Sequence, residues 1–206
     1  MRGKLIVLEG IDGSGKSSHA RLLAERMAAE GYATQRTFEP TDGAIGTLLR
    51  RYLKGEISAS ERTIAALFLA DRLDHIQKAD GLLATLEAGV NVVCDRYLYS
   101  SIAYNCASES VAWVADLNRT AHDLLTPDLV VFLDLPASVM EQRLSHRNYK
   151  EIYETVAYQR KVQERYREAF AVYHDPLAVI DCDRPKPEVA EDVWQAVRKV
   201  LVEDDV

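Results

Sequence analysis

Hydrophobic and polar positions along the chain follow two patterns, one typical of strands and the other typical of helices. Short segments that are apolar almost throughout predict buried strands at 5–8, 90–94, 129–135 and 177–180. A fifth strand is predicted at 33–38, where apolar and polar residues alternate. Together these segments predict a single five-stranded sheet.

Between the strands, apolar residues recur every three or four positions, which is the period of a helix. Helices are predicted at 20–27, from 64 to near Gly89, at Val156–Tyr173 and at 189–201. Strands that alternate with helices predict an α/β fold of three α/β/α layers, in which a mainly parallel sheet is covered by helices on both faces. With no internal repeat or linker in sight, residues 1–206 are predicted to form one domain.

Segments that contain candidate binding and catalytic residues directly follow three of the predicted strands, at 10–16, 39–40 and 95–96. Ligands of a parallel sheet bind beyond the carboxyl ends of its strands, so these three segments predict one shared site. The polar segment 148–154 lies between two helical stretches and is predicted to be mobile.

The first of these segments matches the P-loop pattern G-x-x-x-x-G-K-[ST] at every fixed position. Backbone N–H groups of such a loop converge on a phosphate, the lysine reaches the outer phosphates, and the hydroxyl suits Mg²⁺. A glycine-rich turn that contains a lysine by chance is the alternative, which the strand before it and the helix after it disfavour. The predicted nucleotide site comprises Gly10, Ile11, Asp12, Gly13, Ser14, Gly15, Lys16, Ser17 and Ser18.

Composition and charge narrow the function further. A formal net charge of −7 gives no basic excess for nucleic-acid binding. The three cysteines are far apart in the chain and lack the spacing of metal ligands. We therefore expect Cys94, Cys106 and Cys182 to be buried free thiols in a reducing compartment. No apolar segment is long enough for a membrane span, and Glu9 and Asp12 interrupt any signal-peptide pattern, so a cytoplasmic location is expected.

Among P-loop proteins, the sequence favours a kinase. It has no N-K-x-D element of a guanine-specific switch, and its strands do not end in the Asp-Glu pair usual in ATP-driven motors. A kinase needs a second pocket with cations, and Asp95 and Arg96 follow a buried strand beside the P-loop. Arg96 could clamp a phosphate while Asp95 holds a metal-bound water or orients Arg96; a structural Asp–Arg pair is the alternative. Tyr97 and Tyr99 are predicted to be packing aromatics.

Several motifs together resemble the thymidylate kinase family over essentially the whole chain. They are "FEPTDGAIGTLLR" at 38–50, "FLADRLDHI" at 68–76, "DRYLYSSIAYN" at 95–105 and "LTPDLVVFLDLP" at 125–136. The resemblance implies a P-loop kinase fold and transfer of the γ-phosphoryl group of ATP to dTMP, with Mg²⁺ as cofactor. It also implies a homodimer, and small molecules as the only other partners.

The resemblance also implies roles for individual residues. Lys16, Asp95, Arg96 and the lid residue Arg147 would be catalytic, and Ser17 and Asp95 would hold Mg²⁺, partly through water. Phe68 would stack on thymine, Tyr104 would lie under the deoxyribose, and Asp12 would approach the sugar 3′-hydroxyl or the Mg²⁺ shell. The implied dTMP site comprises Asp12, Glu39, Pro40, Arg50, Phe68, Arg72, Arg96, Ser101, Tyr104 and Asn105.

A lid at about 143–154 is implied as well. In it, Arg143 would stack on the adenine and Arg147 would reach the transferred phosphoryl group, with Lys150 as the alternative to Arg147. Glu154 stands where the family often has a lid glutamate. Three positions depart from the family pattern: Asn105 replaces glutamine, Phe38 replaces an arginine, and Gly13 stands where some members have a catalytic arginine. A nucleotide or deoxynucleoside kinase of relaxed specificity, and a nucleotide-binding protein without catalysis, are the alternative functions.

Overall fold

A single parallel sheet forms the centre of the protein. The computed structural model describes residues 1–105, 110–144 and 156–202. The strands are β1 (Leu5–Glu9), β2 (Thr34–Phe38), β3 (Asn91–Asp95), β4 (Leu129–Asp134) and β5 (Leu177–Asp181). They lie in the order β2-β3-β1-β4-β5, and every neighbouring pair is parallel. The predicted five-stranded sheet is confirmed.

Helices cover both faces of this sheet and complete the predicted three layers. The described residues form helices α1 (Lys16–Ala29), α2 (Ala44–Leu53), α3 (Glu61–Gln77), α4 (Leu82–Glu87), α5 (Leu98–Tyr104), α6 (Val111–Leu124), α7 (Ala137–Leu144), α8 (Val156–Tyr173) and α9 (Lys186–Val202). Helices α1 and α9 pack together on one face, whereas α3, α5, α6 and α8 pack against one another on the other.

Burial along the strands follows their places in the sheet. All five residues of β1 and of β3 are buried, because strands covered on both faces present no side to water. The prediction of a buried strand at 177–180 is wrong in part: Leu177 and Val179 are exposed and Ile180 is buried. The reason is that β5 lies at the edge of the sheet, where its outer face has less cover.

The prediction of one continuous helix from 64 to near Gly89 is also wrong. Helix α3 ends at Gln77, Lys78 has extended backbone (ψ 160°), and α4 begins after Gly81. A Cβ atom at Gly81 would lie 2.7 Å from the carbonyl oxygen of His75, so the tight turn between the two helices requires glycine. This turn lets α4 pack back against β3.

Two predictions about buried residues are confirmed. Tyr97 and Tyr99 are 0% and 1% exposed and belong to the hydrophobic core. Cys94 and Cys182 are buried free thiols, whereas Cys106 lies outside the described residues. Across the part of the chain that the structure describes, no helix combines the length and the apolar character that crossing a membrane demands.

Candidate active site

The glycine-rich loop between β1 and α1 lies at the carboxyl edge of the sheet, as predicted. Gly10 has φ 150°, and a Cβ atom there would lie 2.7 Å from the carbonyl oxygen of Leu133 and 2.8 Å from Ser14 Oγ. Only glycine therefore lets the loop pass this close to β4. Lys16 opens α1, and its Nζ donates a 2.8 Å hydrogen bond to the carbonyl oxygen of Ile11, across the loop.

Lys16 is a buried cation whose charge is poorly stabilised without a bound anion. Burial lowers its pKa to about 8, and the nearby positive charge of Arg96 acts in the same direction against the carboxylates of Asp12, Asp95 and Glu9. A phosphate placed in the loop would supply the missing negative charge. The site is thus prepared for an anionic ligand.

We expect the pH dependence of ATP capture to report this lysine. The value of kcat/KM for ATP, at saturating dTMP, should fall above pH 8 and approach about a tenfold loss per pH unit, because the ATP-free enzyme form that captures ATP then loses the Lys16 proton. The measurement is a steady-state series from pH 7 to 9.5. The limiting kcat should bend at a higher pH, since bound phosphates stabilise the charged lysine. A flat kcat/KM profile over this range would contradict the assignment.

Arg96 is paired with Asp12, across from the P-loop. Its Nη2 donates to Asp12 Oδ1, its Nη1 lies 3.2 Å from Ser100 Oγ, and its guanidinium stands 4.9 Å from the centre of the Tyr104 ring. Burial opposes the charge, but Tyr104 and Asp12 raise the pKa of Arg96 above its ordinary value. Among the described residues Arg96 pairs with Asp12 and Asp95 with Ser17, which disfavours the alternative of a structural pair between Asp95 and Arg96.

The turn that carries Arg96 is fixed by Glu9, which the sequence patterns did not single out. Arg96 has φ 70°, a left-handed conformation that costs a non-glycine residue free energy. Glu9, buried at the end of β1, accepts hydrogen bonds from the backbone N–H groups of Tyr97 (2.8 Å) and Ser100 (3.1 Å), and from the hydroxyl groups of Ser100 and Tyr166. Burial raises the pKa of this carboxyl. The feature of the sequence that could have indicated this role is a carboxylate at the end of an otherwise apolar strand.

Ser17 and Asp95 lie together, as the predicted magnesium site requires. Ser17 Oγ donates to Asp95 Oδ2 at 2.5 Å, while Asp95 Oδ1 is buried and has no hydrogen-bond partner among the described residues. A hydroxyl beside an unsatisfied carboxylate oxygen fits Mg²⁺, which prefers oxygen ligands and takes most of its shell from water and phosphates. Within the described ranges, no group of three or more His, Cys, Asp and Glu side chains is arranged so that it could hold a metal ion by itself.

A buried arginine organises the pocket beside α3. Arg72 is 1% exposed, and its Nε and Nη2 lie 2.8 and 2.7 Å from Glu39 Oε2. Its Nη2 also donates to Ser101 Oγ at 3.0 Å and its Nη1 to Asn118 Oδ1 at 2.5 Å. Phe68 lies one helical turn earlier and is half-buried. Arg72, Glu39, Ser101 and Phe68 of the implied dTMP site therefore lie in one region. The structure adds Asn118 from α6 to this group.

A second chain of polar contacts runs from Tyr104 to the P-loop. The Tyr104 hydroxyl donates to Gln159 Oε1 at 3.2 Å, and Gln159 Nε2 donates to Asp12 Oδ2 at 2.8 Å. Against burial, the charges of Arg96 and Lys16 and hydrogen bonding from Tyr104 and Gln159 hold the pKa of Asp12 below its ordinary value. Asn105 Nδ2 is buried without a hydrogen-bond partner among the described residues. This unused donor fits a residue that meets a ligand.

Two open cavities flank these residues. One, of about 420 Å³, is lined by Ser17, Arg36, Thr37, Phe38, Glu39, Pro40, Arg50, Asp95 and Arg96. In it, Arg50 donates to the carbonyl oxygens of Thr41 (2.7 Å) and Pro40 (2.5 Å). The other, of about 230 Å³ on the far side of the P-loop, is lined by Ser14, Gly15, Ser18, His19, Cys182, Arg184, Lys186 and Val189. The sequence patterns missed Arg36, Arg184 and Lys186, which only the folded chain places here.

Most of the predicted lid lies outside the described residues. Arg147, Lys150 and Glu154 lie outside the described residues. Arg143 belongs to α7, and its side chain also lies outside what the structure describes. The lid at about 143–154 therefore stays a prediction.

Comparison with known proteins gives a consistent result. A family model described as "Thymidylate kinase" matches residues 8–193. The chain is 39% identical over 209 residues to the "Probable thymidylate kinase" of Pyrococcus abyssi, covering 98% of this chain and 99% of the relative. It is 42% identical over 209 residues to the protein of the same name from Pyrococcus horikoshii, with the same coverage. It is 35% identical over 210 residues to the "Thymidylate kinase" of Plasmodium falciparum, covering 99% of this chain and 94% of the relative.

Proposed function

The chain belongs to the thymidylate kinase family, and we propose that it transfers the γ-phosphoryl group of ATP to dTMP, giving dTDP and ADP. The observation that carries this proposal is the juxtaposition of two anion sites. On one side of Asp95 stands a complete P-loop with a buried Lys16, and on the other an open cavity lined by arginines. The proposal includes the homodimer that the family resemblance implies.

The reaction joins a phosphate oxygen of dTMP to the γ-phosphorus of ATP while the bond to the β-phosphate oxygen breaks. The attacking oxygen is already anionic, so no general base is required, and the protein acts by alignment and by neutralising charge. Lys16 would contact the β- and γ-phosphates, and Arg96 would bridge donor and acceptor. Ser17 and Asp95 would hold Mg²⁺, which supplies positive charge at the transferring group. A lid arginine, Arg147 or its rivals Arg143 and Lys150, would add charge on closure.

The ion pair with Asp12 positions Arg96 between the two proposed phosphate sites. Its pairing with Asp12 keeps the guanidinium beside the P-loop, within reach of phosphates on both sides. Binding of an acceptor phosphate would compete with Asp12 for Arg96 and free the carboxylate to face the sugar 3′-hydroxyl or the metal-bound waters. Such an exchange would be compatible with both roles proposed for Asp12.

The acceptor base would lie between Phe68 and the buried polar residues of α5. Arg72 is fixed by Glu39, Ser101 and Asn118, so its orientation is set before any ligand binds. Asn105 adds an unused amide donor, and Tyr104 would close the pocket under the sugar. Arg50 would bind the acceptor phosphate from the Glu39-Pro40 side. The donor nucleoside would occupy the cavity that Ser18 lines on the far side of the P-loop.

A coupled ADP-release assay with ATP and Mg²⁺ tests the proposal by comparing dTMP, dUMP, ribothymidine monophosphate and thymidine. We expect dTMP to give the largest kcat/KM, with the ribonucleotide disfavoured by crowding of its 2′-hydroxyl against Tyr104. Equal turnover of dTMP and dUMP would remove the thymine-specific role from the pocket around Asn105. Turnover of thymidine alone would make the protein a nucleoside kinase, and no turnover with any acceptor would favour a binding protein.

A further inference from the structure

Arg36 is a cation that the family motifs do not assign and that the fold places in the acceptor-side cavity. It lies on β2 two residues before Phe38, and residues two apart on a strand point to the same face. Both line the cavity that also contains Ser17 and Asp95. The arginine side chain is exposed, so it reaches this cavity without a desolvation cost of its own.

The other two arginines of this cavity already have protein partners. Arg50 donates to the backbone carbonyl oxygens of Pro40 and Thr41 and lies 3.2 Å from Asp42 Oδ1. Arg96 is paired with Asp12. Within the described ranges, Arg36 forms no hydrogen bond or ion pair, so its full charge and all its donors are available to a ligand.

Phe38 carries no charge for the cavity, whereas Arg36 lies on the same face of β2. Phe38 occupies the position where many members of the family have an arginine, and its ring centre lies 5.6 Å from the guanidinium carbon of Arg50. The ring thus contributes to holding Arg50 in place but offers no charge to a phosphate. An arginine two residues earlier on the same strand face can supply that charge to the same cavity.

We propose that Arg36 binds the phosphate of the acceptor nucleotide, together with Arg50 and Arg96, and takes over the role of the missing arginine at position 38. The inference rests on the proposed transfer to dTMP. A nucleoside monophosphate is a dianion near neutral pH, and a guanidinium matches two of its oxygens with parallel N–H donors. Protein oxygens already neutralise part of the charge of Arg50 and Arg96. Arg36, as a third arginine, would supply the remaining positive charge that the acceptor phosphate needs.

The test compares Arg36→Gln with Arg51→Gln. Arg51 is an exposed arginine of α2 that pairs with Glu56 and does not line the cavity, which makes it a matched control. Isothermal titration should show about a tenfold weaker dTMP affinity for Arg36→Gln, the scale of one partly exposed charge-assisted hydrogen bond, and no change for thymidine. Arg51→Gln should leave both affinities unchanged. The dTMP affinity of Arg36→Gln should also depend less on salt concentration.

A second variant separates a missing charge from damage to the strand. In Arg36→Gln/Phe38→Arg the cation returns to the same strand face, and we expect most of the dTMP affinity to return. Unchanged dTMP affinity in Arg36→Gln, or an equal loss for thymidine, would overturn the role of Arg36 while a wild-type protein active on dTMP leaves the proposed function intact. A wild-type protein that does not phosphorylate dTMP would instead remove the function on which the inference rests.

Discussion

Lys16→Met is expected to abolish most of the activity and, at the same time, to stabilise the folded protein. In the proposed reaction Lys16 neutralises charge on the transferring group, and loss of one such preorganised donor lowers kcat by about 10³-fold. The same lysine is buried, and burial lowers its pKa to about 8, so its charged form is disfavoured in the free protein. Methionine has a similar shape and no charge.

The sign of the stability effect follows from proton linkage. The pKa of Lys16 is about 8 in the folded chain and 10.5 for an ordinary lysine, so between these values the unfolded state binds more protons. The penalty is present in full below pH 8 and vanishes as the pH rises to 10.5. We therefore expect Lys16→Met to raise the free energy of unfolding by about 2 kcal/mol at pH 7, after allowing for the lost hydrogen bond to Ile11.

Urea unfolding at pH 7 and pH 10 and the ADP-release assay test both halves of this prediction. The stability gain should shrink at pH 10, because the lysine is then neutral in the folded state and begins to lose its proton in the unfolded state. Lys199→Met is the control: this lysine is exposed in the last turn of α9, and its removal should alter neither activity nor the pH dependence of stability. A variant that is inactive and also less stable than wild type at pH 7 would show that Lys16 is not a strained cation.

Breaking the pair of Glu39 and Arg72 is expected to have the largest effect on stability. The two side chains are 3% and 1% exposed, and their atoms approach to 2.7 Å. Glu39→Gln keeps the shape of the side chain but leaves the guanidinium buried with a neutral partner, which costs about 3–5 kcal/mol. The affinity for dTMP should fall as well, because Glu39 also fixes the orientation of Arg72, which belongs to the implied dTMP site.

A double-mutant cycle measures the pair itself. With Glu39→Gln, Arg72→Met and the double variant, urea unfolding should give a coupling energy of about 2 kcal/mol, because each residue serves chiefly to satisfy the other. The exposed pair of Arg21 and Glu25 on α1, at 2.6 Å, provides a control cycle for which we expect only about 0.3–0.5 kcal/mol. A coupling no larger than that of the control pair would mean that other neighbours hold each residue independently: Ser101 and Asn118 for Arg72, and His75, whose Nδ1 lies 3.1 Å from Oε1 of Glu39, for the carboxylate.

Much of the architecture could be predicted because it depends on local patterns. The strands at 5–8 and 129–135 are apolar nearly throughout, which suits strands that are covered on both faces of a sheet. The P-loop was equally readable, because its glycines and lysine are adjacent in the chain and their chemistry needs no distant partner. The dipeptide Asp95-Arg96 was placed correctly for the same reason: it directly follows a strand.

Other features were decided by residues that are far apart in sequence. Arg96 pairs with Asp12 instead of its neighbour Asp95, because β1 and β3 are adjacent in the sheet and the turn after β3 aims the guanidinium at the P-loop. Glu9 carries no signal of its own beyond its place at the end of β1, yet four donors converge on it, from Tyr97 before α5, from Ser100 in α5 and from Tyr166 in α8.

The sequence by itself determined the class of fold and the class of chemistry: a parallel α/β sheet with a phosphate cradle and an arginine after the third strand. Only the tertiary structure decided how the charges are compensated, since a side chain's partners depend on which strands and helices meet. Arg36 shows the difference. In the sequence it is one polar residue in an alternating strand, and the fold places it, without a described protein partner, at the edge where an acceptor phosphate would bind.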